Sequence, residues 1–315
     1  MADNNVKVRV ASIKHVANTI KQFDLVPCEG TLPTFTPGAH ITVEMNDELK
    51  RSYSLTSAPD DAERYQIAVL LEPESRGGSR YMHERLKEGD ELNVSQPDNY
   101  FALDTTHKGK HLLIAGGIGI TPFMSYLPVL EAEQLDFELH YCIRSEEDAA
   151  YVSELSQRLG ERLFIYDTSV QQRLEVEALI KQYQETAHVY VCGPVSLIDD
   201  VVKFGQQILG EERTHFENFG EAASEGDAFE VHFQQSGFSL TIESDTSILQ
   251  AIEADGRLSV ECLCRNGVCG TCETDIVEGE ADHRDNYLDD DEKASQETMM
   301  ICISRSKTPK LILDM

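Results

Sequence analysis

Four cysteines near the end of the chain, Cys264, Cys269, Cys272 and Cys302, follow the pattern C-x4-C-x2-C and then a long gap. This is the plant-type spacing of a [2Fe–2S] cluster, in which four thiolates hold two bridged irons. A tight loop must turn the first three sulfurs inward while a distant segment supplies the fourth. Gly267 and Gly270 permit that turn and bring backbone N–H groups close to sulfur. Buried thiols, or zinc held by four thiolates, are the competing readings. Zinc sites usually carry two short C-x2-C pairs, and this segment has one. Cys262 as first ligand would widen the loop to six intervening residues, so it reads as structural. Arg265 reads as a solvated or loop-bracing charge. Such a cluster passes one electron at a time, which raises the question of where the electrons enter.

Two glycine turns offer an answer. Gly116-Gly117-Ile-Gly119-Ile-Thr121-Pro122 follows an apolar run and opens a helix-like stretch. Backbone N–H groups and a helix dipole placed there suit an anion such as a dinucleotide pyrophosphate. Pro122 fits the first helical turn, where its missing N–H is not needed. The run is not G-x-G-x-x-G, and alone such a run is more often a tight turn than a phosphate site. Cys192-Gly193-Pro194 ends a later apolar run. Ligands of open parallel sheets bind at such strand ends, although a helix start beside a small buried cysteine is the plainer reading. Arg51-Ser-Tyr53-Ser54 combines a fork for phosphate, a flat ring for stacking and a hydroxyl donor. Arg76-Gly77-Gly78-Ser79 adds a second arginine and a nest for phosphate. Taken singly, these two segments read as surface arginines, an edge-strand tyrosine and a flexible loop.

The elements that must position these groups fall into three stretches. Val6–Val10, Ile41–Met45 and Gln66–Leu71 are short, largely alternating runs separated by turn clusters such as Pro37-Gly38, which predicts a small β-barrel or sandwich. After His107 the pattern changes. His111–Ala115, Phe137–Tyr141, Arg162–Tyr166 and His188–Cys192 are strand-like and alternate with helical stretches, which predicts a doubly wound parallel sheet. Gly220–Asp227 reads as a linker. Beyond it come a hairpin-like pair around Ser236-Gly237, a short helix near Ser247–Glu253, and the cysteine loop. The expected domains are therefore 1–106, 107–220 and 228–315, with 221–227 as linker.

The bulk numbers fit this division. A chain of 315 residues with 41% hydrophobic content suits two or three domains with real cores. The longest apolar run, near Leu112–Met124, is interrupted by glycines, Thr121 and Pro122, so no membrane span is expected. The opening Met-Ala-Asp-Asn-Asn has no basic or apolar leader. Half of the eight cysteines sit in the cluster spacing, which fits a reducing cytoplasm better than a disulfide framework. A formal net charge of -29 argues against nucleic acid and anionic membranes as partners. A solvated acidic surface is its simplest meaning; docking to a basic patch and a salty habitat are the others. The sequence contains no Walker A motif, no H-E-x-x-H, no G-x-S-x-G and no C-x-H half of a Rieske site.

Taken in order, Arg51-Ser-Tyr-Ser, Arg76-Gly-Gly-Ser, the glycine turn at Gly116, Cys192-Gly-Pro, His215-Phe-Glu-Asn-Phe-Gly and the cysteine loop resemble the phthalate dioxygenase reductase family. These are one-chain reductases of Rieske oxygenases, close to the vanillate demethylase and carnitine monooxygenase reductase components. The resemblance covers nearly the whole chain. It is most specific in Gly279-Glu-Ala-Asp-His-Arg-Asp285, Cys302-Ile-Ser-Arg305 and the final Leu311-Ile-Leu-Asp-Met. It implies a flavin-binding antiparallel β-barrel, a nicotinamide-binding α/β domain and a C-terminal β-grasp ferredoxin domain. It implies FMN rather than FAD, with Arg51, Tyr53, Ser54, Gly77, Gly78 and Ser79 around the flavin and Phe219 near its ring. A buried core phenylalanine is the other reading of Phe219.

Arg144 follows the second strand of the nucleotide domain, where it suits a ribose 2′-phosphate. Glu146, Glu147 and Asp148 beside it would repel one, and the family leans towards NADH over NADPH. The expected path runs from NADH through flavin and cluster to a separate Rieske oxygenase, with Thr121 and Cys192 aligning the nicotinamide. No general acid or base is required. Carnitine, another quaternary amine or an aromatic acid is the expected substrate of that partner. A monomer with transient docking is the expected state. A reductase for a non-Rieske acceptor and a flavin/iron–sulfur redox sensor are the rivals.

Overall fold

A computed structural model describes residues 5–46, 49–73, 75, 77–220 and 224–315. The chain forms two compact units, Met1–Phe219 and Gly220–Met315.

The first unit opens with β1 (Val6–Ala17), β2 (Ile20–Pro27), β3 (His40–Glu44), β4 (Lys50–Ser54) and β5 (Tyr65–Leu70), then α1 (Gly78–Glu84) and β6 (Glu91–Val94). These strands make one antiparallel sheet in the order β4-β3-β6-β1-β2-β5. Its ends meet where Leu55, just past β4, bridges Ile67 on β5, and Thr56 N–H donates to the Gln66 carbonyl at 2.8 Å. The sheet is thereby a closed barrel. Val8, Val10, Phe23, Leu25, Ile41, Val43, Ile67 and Val94 fill it, as the period-2 alternation requires.

There follow β7 (Lys110–Gly116), α2 (Thr121–Ala132), β8 (Phe137–Ile143), α3 (Val152–Leu159), β9 (Leu163–Asp167), α4 (Val176–Gln182), β10 (Ala187–Cys192), α5 (Val195–Ile208) and β11 (Thr214–Glu217). The strands form a parallel sheet ordered β11-β10-β7-β8-β9. Leu113 and Ala115 of β7 pack with α2 and α3, whereas Leu112 and Ile114 pack with α4 and α5. Helices thus cover both faces, and the strand order reverses between β7 and β10. The barrel shares this core: Ile20 and Ala68 join the α2 and α3 cluster. Gly38 N–H donates to Ser125 Oγ at 2.9 Å, and Tyr126 Oη donates to the Phe101 carbonyl at 2.7 Å.

The second unit contains β12 (Phe229–Phe233), β13 (Phe238–Ile242), α6 (Ile248–Asp255), β14 (Glu273–Glu278), β15 (Ala281–Asp282), α7 (Asp290–Ser295), β16 (Thr298–Met300), β17 (Arg305–Ser306) and β18 (Lys310–Leu313). Its main sheet runs β13-β12-β18-β14-β16, with β12 and β18 parallel. This is a β-grasp. A capping box between Ser247 and Gln250 starts α6, and Gly256 ends it in the left-handed region. The buried Arg305 guanidinium donates to the carbonyls of Ser224, Asp227, Glu243 and Thr246, which ties the unit's first residues to its sheet. Among the described residues no helix is long and apolar enough to cross a membrane.

Candidate functional site

In the second unit, the Glu273↔Met300 register sets Cys272, just before β14, alongside the turn that holds Cys302. Both cysteines are buried. The loop supplies the remaining sulfurs. Cys264 Sγ accepts the N–H groups of Asn266 and Val268 at 3.4 and 3.5 Å and contacts Cys269. Gly267 and Gly270 have φ of +68° and +73°. A Cβ on Gly267 would lie 2.8 Å from Asp285 Cβ, and one on Gly270 would lie 2.3 Å from Tyr287 Cζ. Only glycine lets the loop press this closely on its surroundings. Arg265 forks onto Glu253 of α6, so it braces the loop. The donor set is all sulfur, lined by backbone N–H groups, and suits an iron–sulfur cluster. Cys262, which the spacing sets aside, departs from expectation: its sulfur lies among those of Cys272 and Cys302.

In the first unit, the two glycine turns meet at the switch in strand order. A Cβ on Gly119 would stand 2.2 Å from the Cys192 carbonyl oxygen, and one on Gly193 would stand 2.9 Å from Gly116 Cα. Gly117 faces open space on its Cβ side. Thr121 and Pro122 begin α2, both buried, and Thr121 Oγ1 donates to the Ile118 carbonyl at 3.0 Å. Pro194 precedes α5. The arrangement is a shallow backbone cradle at a helix start, suited to a pyrophosphate.

Glu217 is the residue that sequence reasoning left unassigned. The parallel register sets it beside Cys192. Its Oε2 is closed to solvent and has no hydrogen-bond partner among the described residues. Burial pushes this carboxyl up to about 8, so it is largely uncharged at neutral pH. Burial likewise raises the fully covered Cys192 thiol well above its usual range. The signal in the sequence was a carboxylate two residues short of Phe219, at the end of a strand. Phe219 itself is 44% exposed, which removes the buried-core reading.

On the barrel, residues 27 positions apart in sequence converge. A Cβ on Gly78 would stand 2.6 Å from Arg51 Cγ. Tyr53 is half-buried, and burial raises its phenol above the usual range. Ser54 Oγ is buried without a hydrogen-bond partner among the described residues, and a hydroxyl so placed fits a cofactor oxygen or nitrogen. Gly77, with φ +100°, precedes α1, and Ser79 Oγ donates to Ser75 Oγ at 2.9 Å. Arg76 lies outside the described residues. Arg144 is exposed at the end of β8. Beside it, Ser145 Oγ donates to Asp148 Oδ2 at 3.0 Å.

Residues 113–203 match the family model described as an oxidoreductase NAD-binding domain, and residues 231–307 match a 2Fe-2S iron-sulfur cluster binding domain. The chain is 44% identical over 315 residues to the carnitine monooxygenase reductase subunit of Escherichia coli (strain K12), covering 98% of each chain. It is 41% identical to the heme-dependent oxidative N-demethylase beta subunit of Ectopseudomonas mendocina (strain ymp), again covering 98% of each. Among solved structures, phthalate dioxygenase reductase superimposes with a TM-score of 0.73 at 35% identity, covering 99% of this chain and 98% of that one.

Proposed function

The chain belongs to the phthalate dioxygenase reductase family, and on that premise we propose that it takes electrons from NADH and delivers them one at a time to a separate oxygenase. The observation that carries this reading is the sulfur cage built in the same chain as a glycine-lined dinucleotide cradle. In this reading residues 1–106 bind flavin, 107–220 bind nicotinamide and 228–315 hold the cluster. Bound flavin and cluster supply the electron chemistry, accepting a hydride's electron pair and releasing it singly.

The chain's own residues bind and orient. Arg51, with Gly77, Gly78 and Ser79, holds the phosphate of FMN, while Tyr53 and Ser54 meet its ring. Phe219 covers the ring face until nicotinamide arrives. Gly117, Gly119 and Gly193 let pyrophosphate approach the backbone, and Thr121, Pro122, Cys192 and Pro194 shape the nicotinamide end. An uncharged Glu217 keeps that end free of a negative charge against a substrate that is itself anionic. Arg144 meets the ribose, and Glu146, Glu147 and Asp148 disfavour a 2′-phosphate, so NADH is preferred over NADPH. Cys264, Cys269, Cys272 and Cys302 bind the irons as thiolates.

The acceptor we favour is a Rieske oxygenase acting on carnitine or a related quaternary amine, which the E. coli relative supports. A haem acceptor is the second reading, favoured by the relationship to the N-demethylase beta subunit. We read the chain as a cytoplasmic monomer that docks transiently. The test compares wild type with Cys269→Ala. Wild type should reduce cytochrome c with NADH, and the variant should retain flavin reduction while losing at least about 90% of cytochrome c reduction. Undiminished transfer in the variant would remove the cluster from the path. Anaerobic mixing of the reduced chain with a Rieske oxygenase and with a haem N-demethylase then separates the two acceptors by rate.

A further inference from the structure

Five cysteines, not four, meet in the second unit. The Sγ atoms of Cys262, Cys272 and Cys302 all lie within 4.8 Å of one another. Cys262 is within hydrogen-bonding reach of both Cys272 and Cys302, whereas Cys264 reaches Cys269 and Cys302. The sulfurs therefore form two groups that share Cys302. Cys262 stands across from Cys272, not in place of Cys264. Cys262 as first ligand, which the spacing already disfavours, is thus not what the contacts suggest.

We propose that Cys262 is a reserve iron ligand that takes over the bond of Cys272 when that bond opens. The inference rests on the cluster reading above. The exchange is balanced without any oxidant: one Fe–S bond to Cys272 breaks and one to Cys262 forms, while a proton passes from the Cys262 thiol to the Cys272 sulfur. The iron's oxidation state is unchanged. Cys272 is the ligand exchanged because it belongs to the Cys262 group alone. Loss of Cys302 would strip both groups. Cys262 is only partly buried, and its sulfur already lies within 4.8 Å of those of Cys272 and Cys302. Such exchange would keep an iron bound through transient opening of one bond, because the replacing sulfur is already held at the site.

The test uses the full chain, reconstituted anaerobically, as wild type, Cys262→Ala, Cys272→Ala and the double variant. Bound iron, acid-labile sulfide and the EPR spectrum of the reduced protein are the readouts. Wild type should hold about two irons per chain, and Cys272→Ala should hold nearly as much with a shifted spectrum. The double variant should hold less than about a tenth of that amount. Iron absent from Cys272→Ala, or equal iron in that variant and the double variant, overturns the proposal. Iron-free wild type would sink the underlying cluster reading as well, so the two failures are distinguishable. Should Cys272→Ala misfold, iron release from wild type and Cys262→Ala to a strong chelator decides the matter. Release should be about threefold faster without Cys262, and equal rates overturn the proposal.

Discussion

At the scale of single residues, Glu217 carries the sharpest pH signature. Its folded carboxyl titrates near 8 against an ordinary value of 4.5, with burial as the cause. Between those values the folded chain holds a proton that the unfolded chain has released, so this group's contribution to stability falls as pH rises from 4.5 to 8. Glu217→Gln keeps the uncharged shape throughout. The first unit of this variant should therefore unfold at a temperature that changes less between pH 6 and 9, with a gain over wild type on the order of 2 kcal/mol at pH 9. Thermal scans across that range check the slope. NADH use should follow the same pattern, with wild-type kcat/KM falling above pH 8 and the variant's remaining flat. The chemistry of Glu217 was hidden in the sequence because nothing local distinguishes it from the chain's many solvated carboxylates. The residue as a whole is half-buried; it is its Oε2 that is closed to solvent, at a strand end paired with β10, and that enclosure is a tertiary fact. The four spaced cysteines were legible because the loop is local. The nearness of the Cys262 sulfur to those of Cys272 and Cys302 was not legible, because Cys302 comes from a turn far along the chain that the pairing of β14 with β16 sets beside Cys272.

At the scale of elements, the strand ends are held by contacts between backbones. Gly119 abuts the Cys192 carbonyl with no room for a Cβ, and neither atom belongs to a flexible side chain. Gly119→Ala must therefore push the start of α2 away from the end of β10. The cost should be about 1–3 kcal/mol, read by thermal unfolding. Steady-state kinetics should show KM for NADH raised by roughly tenfold, because the cradle loses its alignment. Flavin and iron content should be unchanged.

A different device sits at the other end of the same strands. His107, His111, His188 and His215 stack on one another and on Tyr190, beside Asp104. Burial first, and then the neighbouring imidazoles, push His188 down to about 4 and lower His111 and His215. An imidazole held neutral in the fold contributes stability above pH 6.5 that is lost as pH falls towards 4, because the unfolded chain binds protons first. The melting temperature of the first unit should drop across that window, and His188→Gln should flatten the drop. A steeper drop in the variant would contradict the assignment. This slope opposes that of Glu217 between pH 4.5 and 6.5, so His188→Gln should alter the profile only below about pH 6.5, whereas Glu217→Gln should alter it up to about pH 8. The core strands were readable from their apolar runs. The length of β1 was not, because its second half, from Ser12 to Ala17, does not keep the apolar–polar alternation and is held by pairing with β2.

At the scale of the whole molecule, the net charge of -29 should govern how the chain meets its electron acceptors. Ion pairs such as Lys7–Glu91 and Lys307–Glu280 offset only some of the acidic surface, and both are exposed. The field that remains attracts basic surfaces and repels acidic ones over roughly a Debye length, about 10 Å at 0.1 M salt. Association with a basic acceptor such as cytochrome c should therefore slow as salt rises. Its second-order reduction rate should fall about three- to tenfold between 20 and 300 mM sodium chloride. On the proposed function, hydride transfer from NADH to the bound flavin, once NADH is saturating, is confined to the first unit and should change by less than about twofold over the same range. Stopped-flow measurement of both steps at matched salt separates attraction at the surface from chemistry within. A natural oxygenase partner with a basic docking face should show the cytochrome c pattern. If its rate is instead insensitive to salt, apolar contacts dominate that interface and the acidity serves solubility alone.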